Sequence, residues 1–150
     1  MRDVPKALPA DKILSIMREA SSAYHVPLDL VLAVAWHESR FKVRALATDP
    51  RDIARGGSYG LMQMSYQTAQ GLGMQGPPSN LYSPKVNVTF GCMLLSQLFK
   101  RFGVWGDAVS GYNSGKPLSK APRSTKENYV PSVMKARDRF IELLGSDVNQ

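Results

Sequence analysis

Apolar residues recur along most of this chain at intervals of three and four, the spacing of one helical face. Ile13, Met17, Ala20 and Tyr24 set such a face and predict a first helix over Asp11–Tyr24. Val31, Val34 and Ala35 set a second, entered through Pro27 and running to about Ser39. The longest helix follows Ser83 and Pro84, an N-cap and N1 pair. Val88, Gly91, Leu95, Leu98 and Phe102 carry its apolar stripe, and it stops before Gly103. Shorter helices are predicted around Ser65–Gln70, ending at Gly71, and around Gly106–Tyr112. A last helix is expected from about Asn128 to Leu144, capped by Gly145. The "STKE" run, Ser124 to Glu127, imitates a capping box. A helix begun there would carry Pro131 past its first turn, where the ring clashes. The start is therefore set at Asn128, which leaves Glu127 in a loop.

Three loops separate these helices. The longest, Lys42–Tyr59, holds the turn signals "TDPRD" and "RGGS". The others are "GMQGPPSNLYS" and the basic "GKPLSKAPRSTK". Alternation with a period of two is scarce, although the long loop has room for a short hairpin. The pattern predicts a mainly α fold: one compact helical domain over residues 1–150, with its core from about 10 to 145 and a long loop.

Composition narrows the partner more than the fold. A chain of 150 residues with 43% hydrophobic residues can bury a core without disulfides or metal. Nineteen Lys and Arg against twelve Asp and Glu give a net charge of +7. The expected partner is anionic: nucleic acid, a membrane surface, or an acidic polymer such as bacterial cell wall. No helix is dense in Lys and Arg, which argues against nucleic acid. No apolar run approaches transmembrane length, so no membrane insertion is expected. The N-terminal "MRDVPKALPADK" has no apolar segment of the signal-peptide kind. Cys92 is the sole cysteine and is expected to pack in the core. His25 and His37 lie twelve apart without metal-ligand spacing, and neither metal nor cofactor is implied.

One carboxylate is out of place. Glu38 continues the apolar face of Val31, Val34 and Ala35 at helical spacing, where a charge is costly unless paired, neutralised or used. Burial there raises its pKa toward ~6, so that it can serve as a general acid. The competing reading is a surface Glu paired with Arg40 or Arg44. In "GGSYGLMQM", glycines allow close backbone approach, and Gln63 beside Leu61 and Met62 could form a sugar-binding edge; the plain alternative is a turn into a helix. In "SGYNSG", Tyr112 could hydrogen-bond a carboxylate and face a sugar ring; the alternative is a helix C-cap. Asn87-Val88-Thr89 matches a glycosylation sequon but falls in a first helical turn and is discounted. Lys116, Lys120, Arg123 and Lys126 form a basic run that could hold an anionic polymer or simply be solvated.

Taken in order, "HESRF", "GSYGLMQM", "NVTFG", "SGYN" and "NYVPSV" resemble the catalytic domain of soluble lytic transglycosylases, a goose-type-lysozyme-like family. The resemblance covers roughly Leu14 to Leu144 and implies a lysozyme-like helical fold with the long loop at the active site. It implies that Glu38 is the sole catalytic acid/base. Ser58, Gly60, Leu61, Met62 and Gln63 would line the sugar groove. Tyr112, Asn113 and Tyr129 would complete substrate binding, with Tyr112 near the catalytic carboxylate and Tyr129-Val130 as the closing element. Ser39, Asn87 and Gly91 would be structural members of the motif. Three positions depart from the family pattern. Gly111 replaces an alanine, and Thr125 stands where an acid is common. A loop serine is replaced by something near Thr48.

The reaction implied is non-hydrolytic cleavage of the MurNAc-β-1,4-GlcNAc bond of peptidoglycan glycan strands, leaving 1,6-anhydro ends. A muramidase hydrolysing the same bond would need a second carboxylate, for which Asp49 and Asp52 are candidates, although both also suit turn positions. A non-catalytic wall-binding component is the rival from another class. The domain is expected to act as a monomer, alone or within a larger assembly, in the periplasm or cell wall. Delivery on a phage virion is the favoured route.

Overall fold

The computed structural model describes residues 3–148. The elements run α1 (Asp11–Tyr24), α2 (Leu28–Ser39), β1 (Leu46–Ala47), α3 (Pro50–Ala54), β2 (Ser58–Tyr59), β3 (Met64–Ser65), α4 (Tyr66–Gly71), α5 (Pro84–Phe102), α6 (Trp105–Ser114) and α7 (Val130–Val148). Short 3-10 turns occupy Pro78–Tyr82 and Leu118–Lys120.

At the centre lies α2. Its six residues Leu30–Ala35 are all fully buried, so this helix has no polar side over nearly two turns. A helix that is apolar all round belongs inside. The one-sided face expected from Val31, Val34 and Ala35 was too narrow. Both α1 and α7 pack on α2, while α5 packs on α1 and α6. An ion pair of 2.6 Å between Arg137 and Asp29, both about three-quarters buried, ties α7 to the start of α2. Cys92 is buried as expected, and burial pushes its thiol up to about 12, out of reach of ordinary thiolate chemistry.

Immediately after Glu38 and Ser39 the chain is turned out of the helix. Arg40 and Phe41 both adopt left-handed φ, 55° and 65°, which is uncommon for side-chain-bearing residues. Arg40 satisfies the helix end itself. Its backbone N–H and its guanidinium both donate to the Trp36 carbonyl, at 2.8 Å each, and the guanidinium lies 3.7 Å over the Trp36 ring.

The long loop is more ordered than expected. It contributes β1, α3 and β2, and with β3 it forms a three-stranded antiparallel sheet in the order β1-β2-β3. Leu46 pairs with Tyr59, and Ser58 with Ser65. The "TDPRD" turn signal is the N-terminus of α3: Asp49 caps it by accepting the Asp52 N–H, with Pro50 in the first turn.

The end of the chain departs from expectation. No loop precedes a helix at Asn128. Helical backbone begins at Arg123, passes through a π-helical turn at Thr125–Tyr129 and continues as α7. In that turn the Val130 N–H donates to the Thr125 carbonyl, five residues back. The wider turn sits immediately before Pro131, whose ring would otherwise press on the carbonyl four residues earlier. Glu127 is therefore helical and pairs with Arg123 at 2.9 Å. Gly145 is no cap: α7 runs through it to Val148.

Candidate active site

A tight β2–β3 connection, Gly60–Gln63, organises the site. Its backbone is held from three helices. Ser39 Oγ donates to the Leu61 carbonyl at 2.7 Å, and Tyr112 Oη donates to the Met62 carbonyl at 2.6 Å. Asn87 is fully buried on α5. Its Oδ1 accepts the Met62 N–H at 2.8 Å, and its Nδ2 donates to the carbonyls of Tyr59 and Leu81 at 2.7 and 2.9 Å. Its amide oxygen and amide nitrogen are both spent on the backbone of the turn and its neighbours.

The glycines of this region answer to the same packing. Gly60 has φ +75°, and a Cβ there would stand 2.5 Å from Asn87 Nδ2 and 2.6 Å from the Leu81 carbonyl. A Cβ on Gly91 would collide with the Met62 side chain. Leu61 and Met62 therefore correct one expectation. Both are fully buried in the core and do not line a groove. Gln63, at a left-handed φ of 50°, turns its amide back to the carbonyls of Ala45 and Gly60 and borders the cleft.

Glu38 opens into that cleft from the last turn of α2. Asp49, Asp52, Ser58, Tyr112 and Asn113 line it as well. Burial is the main influence on Glu38 and raises its pKa to about 7. A hydrogen bond from Tyr129 pulls in the other direction, and the charge of Asp52 adds to the rise. Tyr129 Oη donates to Glu38 Oε2 at 2.6 Å across 91 residues of sequence. Burial holds the Tyr129 phenol well above its ordinary pKa, so it remains a donor. The His37 ring stands edge-on to Tyr129, 4.9 Å between centroids. Arg40 and Arg44, the candidate partners for a surface Glu38, are engaged elsewhere. Arg40 meets Asp3 at 3.3 Å, and Arg44 lies over the Tyr82 ring.

Tyr129 had been expected to touch substrate; its hydroxyl lies on Glu38 instead. Tyr112 is near Glu38 as expected, but its hydroxyl is spent on Met62. Asn113 is held by a bond from Thr125 Oγ1, 2.7 Å, and its carbonyl accepts from Arg51 Nη2, 2.6 Å. Thr125, noted for the missing acid, is thus a buried hydroxyl that fixes Asn113. Asp49 and Asp52 both reach the cleft: Asp49 as the α3 cap, and Asp52 accepting from Ser58 Oγ at 2.7 Å. The basic run lies outside it, with Lys116, Lys120, Arg123 and Lys126 all exposed. Arg51 and Arg55 border the cleft although no motif announced them. Their only sequence signal is an i, i+4 pair in "PRDIAR".

The sequence profile of the transglycosylase SLT domain matches residues 15–130. The chain belongs to this family. At the level of the family its activity is that of a peptidoglycan lytic transglycosylase. An X polypeptide of Escherichia coli is 33% identical over 116 residues, spanning 76% of this chain and 67% of that protein. The transglycosylase of Enterobacteria phage PRD1 is 32% identical over 116 residues, 77% of this chain and 39% of its own length. Among solved structures, an inactive mutant of the lytic transglycosylase Slt from Pseudomonas aeruginosa superposes with a TM-score of 0.73 at 21% identity. It matches 91% of this chain, which spans about a quarter of that one, 24%. The mainly α, lysozyme-like fold expected from the sequence is the fold of that neighbour.

Tyr129→Phe should keep the fold but remove the donor that favours ionised Glu38. The Glu38 pKa should then rise above 7, moving the alkaline limb of the pH–rate profile upward by about one unit. An unmoved profile would mean that the bond does not act on the titrating group.

Proposed function

We propose that this SLT-family chain cleaves the β-1,4 bond between N-acetylmuramic acid and N-acetylglucosamine in peptidoglycan strands, with Glu38 as both acid and base. The carrying observation is the state of that one carboxyl. With its pKa raised to about 7, the carboxyl keeps its proton on a large share of chains near neutral pH and can start a turnover as the acid; giving up that proton leaves the carboxylate that serves as base. As acid, Glu38 protonates the glycosidic oxygen as the C1–O bond breaks. The substrate's N-acetyl group supports the positive charge at C1. The resulting carboxylate, held by Tyr129, takes the proton from the muramoyl C6 hydroxyl. The C6 oxygen then bonds to C1, giving a 1,6-anhydro end without consuming water. The core turn Gly60–Gln63, pinned by Ser39, Asn87 and Tyr112, would fix the cleft floor against which a strand lies. Action in the periplasm or cell wall, as a single domain delivered on a phage particle, is consistent with the phage relative. Among the described residues no helix is long and apolar enough to cross a membrane.

Hydrolysis is the second reading, because Asp52 shares the cleft and its charge acts on Glu38. Retaining and inverting hydrolases of the usual kind need such a second carboxyl. Digestion in water enriched in oxygen-18 separates the two. Transglycosylation leaves the new chain ends unlabelled, whereas hydrolysis places one heavy oxygen at each new reducing end. If hydrolysis were found, Asp52→Asn would be expected to stop it.

A further inference from the structure

The cleft presents hydrogen-bond donors that nothing among the described residues uses. Arg55 closes α3 and borders the cleft. Its guanidinium has no ion pair or hydrogen bond among the described residues, whereas Arg51 beside it donates to the Asn113 carbonyl. The Arg55 backbone is fixed against α4, because the Gln67 N–H donates to its carbonyl at 3.0 Å. The next residue, Thr68, also borders the cleft. Its hydroxyl belongs to a directed pair. The Thr68 N–H donates to Ser65 Oγ at 3.1 Å, and Ser65 Oγ donates to Thr68 Oγ1 at 2.7 Å. The oxygen of Thr68 is thereby an acceptor already in use, and its own proton is left to donate outward. The carboxylates sharing the cleft do not answer this demand. Glu38 takes the Tyr129 hydroxyl, Asp49 takes the Asp52 N–H, and Asp52 takes the Ser58 hydroxyl. None of the three meets Arg55.

A guanidinium fork and a hydroxyl proton facing one cleft are matched to a carboxylate, which accepts on two oxygens. The sugar rings of a peptidoglycan strand are neutral. Its carboxylates lie on the muramoyl side arm, either on the attached peptide or on the lactyl group where the peptide has been removed. We infer that Arg55 and Thr68 form a subsite for the side-arm carboxylate of a bound muramoyl residue, making strand charge a determinant of cleavage. This rests on the strand-cleaving reading above.

Three substrates test it: strands bearing peptides, strands stripped of peptide that keep the lactyl carboxylate, and strands whose carboxyls have been converted to neutral amides. The wild-type chain should lose about tenfold in kcat/KM on the neutralised strands relative to the better of the two acidic ones. Comparison of those two shows which carboxylate is read. Arg55→Gln and Thr68→Val should each shrink the acidic-to-neutral ratio, Arg55→Gln toward one, and Arg55→Lys should restore part of it. Equal cleavage of acidic and neutral strands by the wild type would overturn the subsite. So would an Arg55→Gln that lowers all three rates alike. Absence of cleavage of every strand by the wild type would instead count against the strand-cleaving reading itself. Ratios within one variant are insensitive to how much of it is folded.

Discussion

Glu38→Gln is expected to abolish strand cleavage and to make the folded chain more stable at alkaline pH. The loss should be at least about a thousandfold, because a positioned acid or base contributes roughly 10²–10⁴ and in the proposed mechanism one group fills both roles. The gain follows from linkage. The Glu38 pKa is raised from 4.5 to about 7 in the folded chain. Between those values the folded state holds a proton that the unfolded state has released. Stability of the wild type therefore falls as pH rises through this window and levels off above it. The full shift corresponds to about 3 kcal/mol, and water in the cleft screens part of it, so roughly 1–3 kcal/mol is expected at pH 8. Gln is neutral throughout and can still accept from Tyr129 through its amide oxygen. Denaturant melts at pH 4.5 and pH 8 check this: the two proteins should nearly coincide at the lower pH and separate at the higher. Equal stability at both would mean that ionised Glu38 is not disfavoured by its surroundings.

Asn87→Ala should be the most damaging change outside the cleft. It removes no charge and little apolar surface. It strands the Met62 N–H and takes the side-chain donor from the carbonyls of Tyr59 and Leu81, of which Tyr59 keeps its pairing with Met64 in the sheet. Each buried group left unpaired costs about 1–3 kcal/mol. A total of roughly 3–5 kcal/mol is a large share of the 5–15 kcal/mol typical of a domain. Urea unfolding should show a midpoint lowered accordingly. Asn87→Asp should not rescue it, since a carboxylate keeps the acceptor but turns repulsive oxygen toward two carbonyls. A loss under about 1 kcal/mol would show that the Gly60–Gln63 turn is held by other means.

The sequence was most legible where local signals and packing agree. The α1 limits matched to the residue, and α5 began at the Ser83-Pro84 cap and ended at Gly103 as expected. It was least legible where packing overrides local preference. Pro131 argues for a helix start nearby, yet burial of Thr125 and Tyr129 carries helical backbone through it as a π turn. Leu61 and Met62 resemble an apolar sugar platform in sequence. Only the fold shows that the turn tucks them beneath the cleft. With five residues, α3 is too short for periodicity to reveal. Tyr129 lies so far along the chain from Glu38 that no pattern could pair them, and family resemblance alone marked the segment.

The product decides the central claim most directly. Purified peptidoglycan digested with the wild-type chain should release muropeptides one water lighter than those of a muramidase, with none released by Glu38→Gln. Muropeptides with ordinary reducing ends would contradict a single-carboxyl transglycosylation and move the second role to Asp52.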